Sequence, residues 1–498
     1  MKKAICILII GIALVLPLGL FSMPSVYPTA TTIYKPGKCF NGFTILSGEE
    51  GRLIDMNGNL VKTWPEVNGF PSKIYPGGYI GTQTTGWPDG GQDQIAQQIR
   101  DFNNNVVWSF DKYELGKKSG IWASRQHHDF NIKGFPLYFV PGSKAPNFKE
   151  GTMLILGHIN VVNPKIHKLQ LIDDVMYEVD MASGGVVWEW KSVDHYHEFG
   201  FDEAATHALL AFSKEVVQEA IDRAPQSGLD WWHQNCANYL GPNKWYDNGD
   251  GRFHPENIIL GSRHANILAI IDHKTGKVVW RCGPDYNQGE DARLEWIIGP
   301  HHTHMIPKGL PGEGNIMVYD NGGWGGYGSP NVMVAKGEYS VWRDYSRVIE
   351  FDPTTKKIVW EYSPKSLKMM GLTDNACFIH GYMEYSPIVS SAQRLPNGNT
   401  LITQGVGGRL IEVTPELEVV WEYIHPYLYN SKLPATGNLM YRAYRVPYDC
   451  VPQLEKPKET AVFPPNKYDF QIPDTVGSTP DIGKDQKGLW NPAWGKRN

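Results

Sequence analysis

The side chains able to do chemistry in this chain are concentrated in four histidine-bearing segments: Gln126-His127-His128-Asp129, Trp232-His233-Gln234-Asn235, Pro300-His301-His302-Thr303-His304 and Ile379-His380. A further polar knot, Ser262-Arg263-His264, sits between two apolar runs of strand length, Ile258–Leu260 and Ile267–Ile271, where a turn between paired strands is expected. Several imidazoles, a guanidinium and the amide of Asn235 in one pocket would suit an anion such as phosphate or sulfate. One histidine can act as nucleophile and another as acid or base, while guanidinium and amide groups neutralise oxygens in the transition state. Carboxylates are thin in these segments, which disfavours glycoside hydrolysis and its carboxylate pair. A transition metal is the competing occupant, with His127, His128, His301, His302 and His304 as ligands. Against it, no carboxylate or cysteine recurs at ligand spacing, and Arg263 repels a cation while suiting a tetrahedral oxyanion. The reading therefore assigns no metal and no cofactor. Taken singly, each histidine also has an ordinary reading as a hydrogen-bonded core side chain.

Such distant segments need a scaffold that gathers them, and the sequence contains one in the form of a repeat. A polar turn followed by a short strand ending in tryptophan occurs six times, at Trp64, Trp108, Trp188, Trp280, Trp360 and Trp421. Asp55-Met-Asn-Gly58 leads to the first, Asp272-His-Lys-Thr-Gly276 to the fourth, and Asp352-Pro-Thr-Thr to the fifth. Partner strands follow at Gly151–Leu156, Ile258–Leu260, Gly314–Tyr319 and Gly398–Thr403. This is the signature of a radial array, and it predicts an all-β chain forming a six-bladed β-propeller, whose inner strands bring remote residues to one axial pocket. One segment breaks the pattern: Asp202–Arg223 has apolar residues at helical spacing and acidic residues in its first turn, and predicts one inserted helix.

The ends read differently. Residues 1–23 begin with two lysines and continue as an uncharged apolar run, an export signal or an N-terminal membrane anchor that places the body on the periplasmic or extracytoplasmic side. The propeller is expected over 36–450, and 451–498 as a Pro-rich tail on the surface. A net charge of −5 leaves no basic field for nucleic acid. Outside Cys6, five cysteines remain and none forms a CxxC pair; an odd number implies at least one free thiol, and Cys236 with Cys282 is a candidate bridge.

Asn41-Gly42-Phe43 with Leu53–Trp64, Asp230-Trp-Trp-His-Gln-Asn235, Gly261-Ser-Arg-His264, the His301–Gly309 segment followed by Val318-Tyr-Asp-Asn321-Gly, Ala392–Thr403 and Tyr441-Arg-Ala-Tyr-Arg-Val-Pro-Tyr-Asp449 together resemble the bacterial arylsulfate sulfotransferases. The resemblance runs in order through all six repeats. It implies transfer of a sulfuryl group from a phenolic sulfate ester to a phenolic acceptor through a sulfated histidine, without a nucleotide donor. It implies catalytic roles for His380, His233, His301 and Arg263, and substrate contacts from His264, Asn321, Asn235 and His128. The family's arginine just after Asp-Asn-Gly is replaced here by Gly322–Gly328, so Arg343 or Arg347 is the expected substitute; Arg347 is taken as the contact. The family's nucleophile precedes Tyr-Ser-Pro, and His380 stands slightly upstream of Tyr385-Ser386-Pro387. The close cysteine pair of the family is absent. Two other functions stay open: a ligand-binding propeller without catalysis, and a metal- or quinone-dependent oxidoreductase propeller.

Overall fold

A computed structural model describes residues 29–48, 50–365, 385–427 and 438–463. Six antiparallel sheets surround an axis. Blade 1 runs from inside to outside as Ala443–Val446, Phe43–Leu46, Gly51–Ile54 and Leu60–Trp64. Blade 2 is Asn68–Tyr75, Tyr79–Gln83, Gln97–Arg100 and Val106–Phe110, and blade 3 is Gln126–Ile132, Thr152–Asn163, His167–Asp180 and Val186–Lys191. Blade 4 is Gln234–Tyr239, Ile258–Ser262, Ile267–Ile271 and Val278–Cys282; blade 5 is His301–Met305, Ile316–Asp320, Arg347–Asp352 and Lys357–Tyr362. Blade 6 is Ser391–Arg394, Thr400–Gln404, Arg409–Val413 and Val419–Ile424, with Ala30–Tyr34 added outside it. The ring is thus closed from both ends of the chain: the C-terminal side supplies the innermost strand of blade 1, and the N-terminal side an outermost strand of blade 6.

The six tryptophans explain why the repeat exists. Each lies on the fourth strand of its blade and donates its indole N–H to a carbonyl in the turn before the fourth strand of the next blade: Trp64 to Asp101, Trp108 to Met181, Trp188 to His273, Trp280 to Pro353, Trp360 to Pro415, and Trp421 back to Met56. The turn aspartates hold the receiving loops by accepting backbone N–H groups, as Asp272 does from Thr275 and Asp352 from Thr354. Apolar faces of neighbouring blades then pack together, with Ile45, Leu53, Ile80, Ile402 and Ile411 in one such cluster.

Three expectations are corrected. The propeller starts before residue 36, because Ala30–Tyr34 pairs with blade 6. The inserted segment is two helices, Glu203–Leu210 and Lys214–Arg223, because Ser213 accepts the Val216 N–H and caps a second helix where one continuous helix was expected. Cys236 and Cys282 are buried free thiols, not a bridge. The start of the tail pairs with the body through Tyr34 and Val462. No helix among the described residues is long and apolar enough to cross a membrane, and residues 1–28 lie outside them.

Candidate active site

The site is built where the innermost strands of blades 3, 4 and 5 begin. Each of these strands loses register with its neighbour at that point, between Gln126 and Phe130, Gln234 and Cys236, and His301 and His304. His128, His233 and His302 take positive φ values of 56°, 50° and 51°. Bulges of this kind turn a side chain away from the sheet's alternation, at about 1–3 kcal/mol for each residue held in an unfavourable backbone region. The surrounding hydrogen bonds hold them there. Asp174 accepts the Gln234 N–H at 3.0 Å, Asn235 donates to the Pro300 carbonyl at 2.6 Å, and Tyr441 donates to the carbonyls of His128 and Asn235. Below them Asp129 is paired with Lys73 at 2.8 Å and with Arg442 at 3.2 Å, a fully buried charge cluster on the axis.

Three imidazoles are oriented alike. His233 Nδ1 donates to Asp230 Oδ2 at 2.6 Å, His264 Nδ1 to the Asp230 carbonyl at 2.9 Å, and His301 Nδ1 to Asn321 Oδ1 at 2.7 Å. In each case the other ring nitrogen, Nε2, has no protein partner among the described residues and is free for a ligand. The rings are neighbours: His233 stacks on His264 at 4.5 Å between centroids, and His128 meets His233 edge-on at 4.9 Å. Burial pushes His264, His301 and His128 well below the ordinary histidine range; Arg263 adds to this at His301, and His233 at His128. They are neutral at pH 7. Burial alone would raise the Asp230 carboxyl, but His233 and His264 outweigh it and hold it well below the usual carboxylate range.

Among the described residues the Arg263 guanidinium makes no ion pair and no hydrogen bond; burial lowers its pKa, while Tyr339, Asp230, Tyr327 and Tyr385 act to raise it. Arg347, expected to replace the family's sulfate contact, is not comparable. It is 2% exposed and holds Asp320 Oδ2 at 2.7 Å and the Leu294 carbonyl, so it braces blade 5. Arg343 pairs with the same carboxylate at 2.9 Å. The glycines standing in place of the family's arginine allow a close approach. A Cβ on Gly323 would lie 2.0 Å from the Pro387 carbonyl oxygen, and one on Gly325 2.3 Å from Asn266 Oδ1.

Of the expected site residues, His233, Arg263, His264, His301, Asn321, His128 and Asn235 come together, with Asn235 acting as a backbone lock. His380 lies outside the described residues, but the chain just after it reaches the site: Asn321 Nδ2 donates to the Ser386 carbonyl at 2.6 Å, and Tyr385 influences Arg263. Asp230, Tyr339 and Arg442 were missed as site residues. Asp230 stands three residues before His233, a spacing that could have flagged it. Tyr339, 3.2 Å from His264 Nδ1, belongs to a hairpin inserted in blade 5 (Gly325–Tyr327 with Glu338–Val341) that carries no histidine or charge motif.

A cavity of about 640 Å³ lies at the other end of these strands, lined by Phe135, Leu137, Tyr239, Pro242, His304 and Met305 among others. It is mostly apolar and lacks the convergent imidazole nitrogens and the guanidinium of the mouth; chemistry rather than volume identifies the site.

No curated protein matches the chain. Solved structures that resemble it include a protein of unknown function from Bacteroides caccae (11% identity, 81% of this chain and 98% of that one, TM-score 0.40) and a streptogramin B lyase (11% identity, 81% and 85%, TM-score 0.35). The model of the arylsulfotransferase (ASST) family matches residues 144–423, more than half of the sequence and the part that holds His233, Arg263, His264 and His301, and the chain belongs to that family.

Proposed function

We propose that this protein is an exported sulfotransferase that moves a sulfuryl group from an aryl sulfate ester to a phenolic acceptor through a sulfo-histidine, without a nucleotide donor. The observation that carries the reading is the Arg263 guanidinium, without an ion pair among the described residues, beside His301, His264 and His233, an arrangement suited to a tetrahedral anion. In the first half-reaction a neutral nitrogen of His380 attacks sulfur and the ester S–O bond breaks. Its electron pair goes to the aryl oxygen, and His233, protonated on Nε2 and steadied by Asp230, delivers a proton there. In the second, the acceptor phenol gives its proton to His233 Nε2, its oxygen attacks the same sulfur, and the N–S bond returns its electrons to His380. The Arg263 guanidinium neutralises the sulfuryl oxygens as charge builds on them. His301 is held in one tautomer by Asn321, whose own amide is fixed by the segment following His380.

Mass spectrometry after incubation with an aryl sulfate should find one added sulfuryl group on His380. His380→Asn should remove both labelling and turnover, and His233→Asn should slow labelling by about 10²–10⁴-fold, as loss of an acid or base does. Normal labelling of His380→Asn moves the nucleophile elsewhere, with His301 the next residue to test. Calorimetric binding of aryl sulfates without turnover for any donor and acceptor pair would leave a binding propeller and end the enzyme reading.

A further inference from the structure

Beside this mouth, blade 3 carries a second cluster that the sulfuryl chemistry does not use. His127, His158 and Asp174 come from its first, second and third strands, and His158 and Asp174 are direct cross-strand partners. Their side chains are almost wholly buried, at 0%, 3% and 0% exposure. His127 Nε2, His158 Nε2 and Asp174 Oδ1 lie within 4.8 Å of one another. His127 Nε2 and Asp174 Oδ1 are 3.1 Å apart, an ion-pair distance, yet neither meets hydrogen-bond geometry with any described residue, so two fully buried polar atoms are turned toward each other and a common point.

From this geometry we infer a binding site for one divalent first-row transition metal ion of the zinc class, held by His127 Nε2, His158 Nε2 and Asp174 Oδ1. The spacing fits. Metal–ligand bonds of about 2.0–2.2 Å at tetrahedral angles put ligand atoms about 3.4 Å apart, and the two carboxylate-to-imidazole separations are 3.1 and 3.7 Å.

The groups behind the ligands fit as well. His158 Nδ1 donates to Asp93 at 2.5 Å, and Asp93 is held by Arg125 at 2.7 Å. Asp174 Oδ2 accepts the Gln234 N–H, and His127 Nδ1 lies 2.7 Å from His128 Nδ1. Each ligand is thus turned toward the common point by its other polar atom, the arrangement that orients metal-binding histidines and carboxylates. The His127 and His158 rings stack with centroids 3.5 Å and planes 12° apart, so an ion held by both nitrogens tilts the rings out of parallel to bring both lone pairs onto it. An ion on His127 Nε2 also forces the proton onto His127 Nδ1, which then donates to His128 and fixes the tautomer of a site residue. Arg263 is no obstacle, because it belongs to the neighbouring blade.

The full chain, stripped with chelator and re-equilibrated with Zn²⁺ or Co²⁺ alone, should retain one equivalent through gel filtration. The Co²⁺ form should show visible d–d absorption. His158→Ala and Asp174→Ala should each weaken binding by about 10²-fold or more, whereas His233→Ala, in the Asp230–His233–His264 group, should leave the ion in place. Melting in chelator separates loss of the site from loss of the fold. If the variants fail to fold, imidazole ¹⁵N shifts of His127 and His158 in the wild-type chain on Zn²⁺ addition replace them. Failure of the wild-type chain to retain either metal, unmoved imidazole shifts, or full retention by His158→Ala overturns the site. None of these readouts depends on sulfuryl transfer.

Discussion

The outer rim and the inner mouth of this propeller are made from the same four-stranded sheets, yet they treat polar groups in opposite ways. On the rim every repeat tryptophan has its indole N–H satisfied by the next blade, and turn carboxylates accept backbone N–H groups. At the mouth, His128, His233 and His302 hold positive φ where their strands begin, and among the described residues Arg263 makes no ion pair or hydrogen bond and His127 Nε2, Asp174 Oδ1 and Asn235 Oδ1 make no hydrogen bond. Polar groups buried without partners lower stability, and a fold keeps them where a ligand completes them. The rim therefore carries stability, and the mouth holds what stability the rim can spare for chemistry.

Substitutions can test that division. Trp64→Ala removes a fully buried indole from the rim and orphans the Asp101 carbonyl; it should lower unfolding free energy by about 3–5 kcal/mol while the folded fraction keeps wild-type turnover. Chemical denaturation alongside activity per folded molecule measures both. Equal losses of turnover and stability would break the comparison. Arg263→Met should do the reverse. Turnover of an aryl sulfate should fall by about 10²–10³-fold, as on removing one oxyanion donor, with the melting temperature unchanged or raised, because a desolvated cation is replaced by an apolar chain. Arg347→Met makes a useful control. It is positive like Arg263 but more deeply buried and paired, so it should destabilise by about 2–3 kcal/mol, at or below the usual cost of breaking a buried pair because Arg343 still faces Asp320.

The contrast also accounts for what could be read from sequence. Rim features are local: a turn aspartate, a glycine or asparagine, β-branched residues and a tryptophan fall within about ten residues of each other, so the six-bladed fold was legible, and with it the convergence of His233, Arg263, His264 and His301. The mouth is assembled from pairings that no spacing encodes. Nothing in the order of residues says that Arg347 pairs with Asp320 while Arg263 makes no ion pair among the described residues, or that His127, His158 and Asp174 line up across three strands of one blade. The inserted helix was misread for a local reason, since apolar periodicity continues past Phe212 and only the capping role of Ser213 divides it.

The smallest expected effect concerns pH. Burial holds His304 at about 4 and His127 at about 4, below the ordinary value of 6.5. Below pH 6.5 the unfolded chain takes up a proton at each of these positions that the folded chain refuses. The unfolded state therefore binds more protons, and stability falls as pH drops from 6.5 toward 4. Each such histidine contributes a slope of up to about 1.4 kcal/mol per pH unit in that window and nothing above it. His304 sits on the inner strand of blade 5, with Nε2 3.1 Å from the Tyr138 hydroxyl and Nδ1 2.7 Å from the His302 carbonyl, away from the free nitrogens of the mouth. His304→Gln retains a polar side chain there but cannot titrate. Unfolding free energy measured from pH 7 to 4 should show the variant less stable at pH 7, where the imidazole contacts are lost, and its curve flatter by about one proton's worth of slope. Parallel curves would mean that His304 is protonated in the folded state, with a partner for the charge, and would place it among the mouth's titrating groups instead of the rigid wall that supports them.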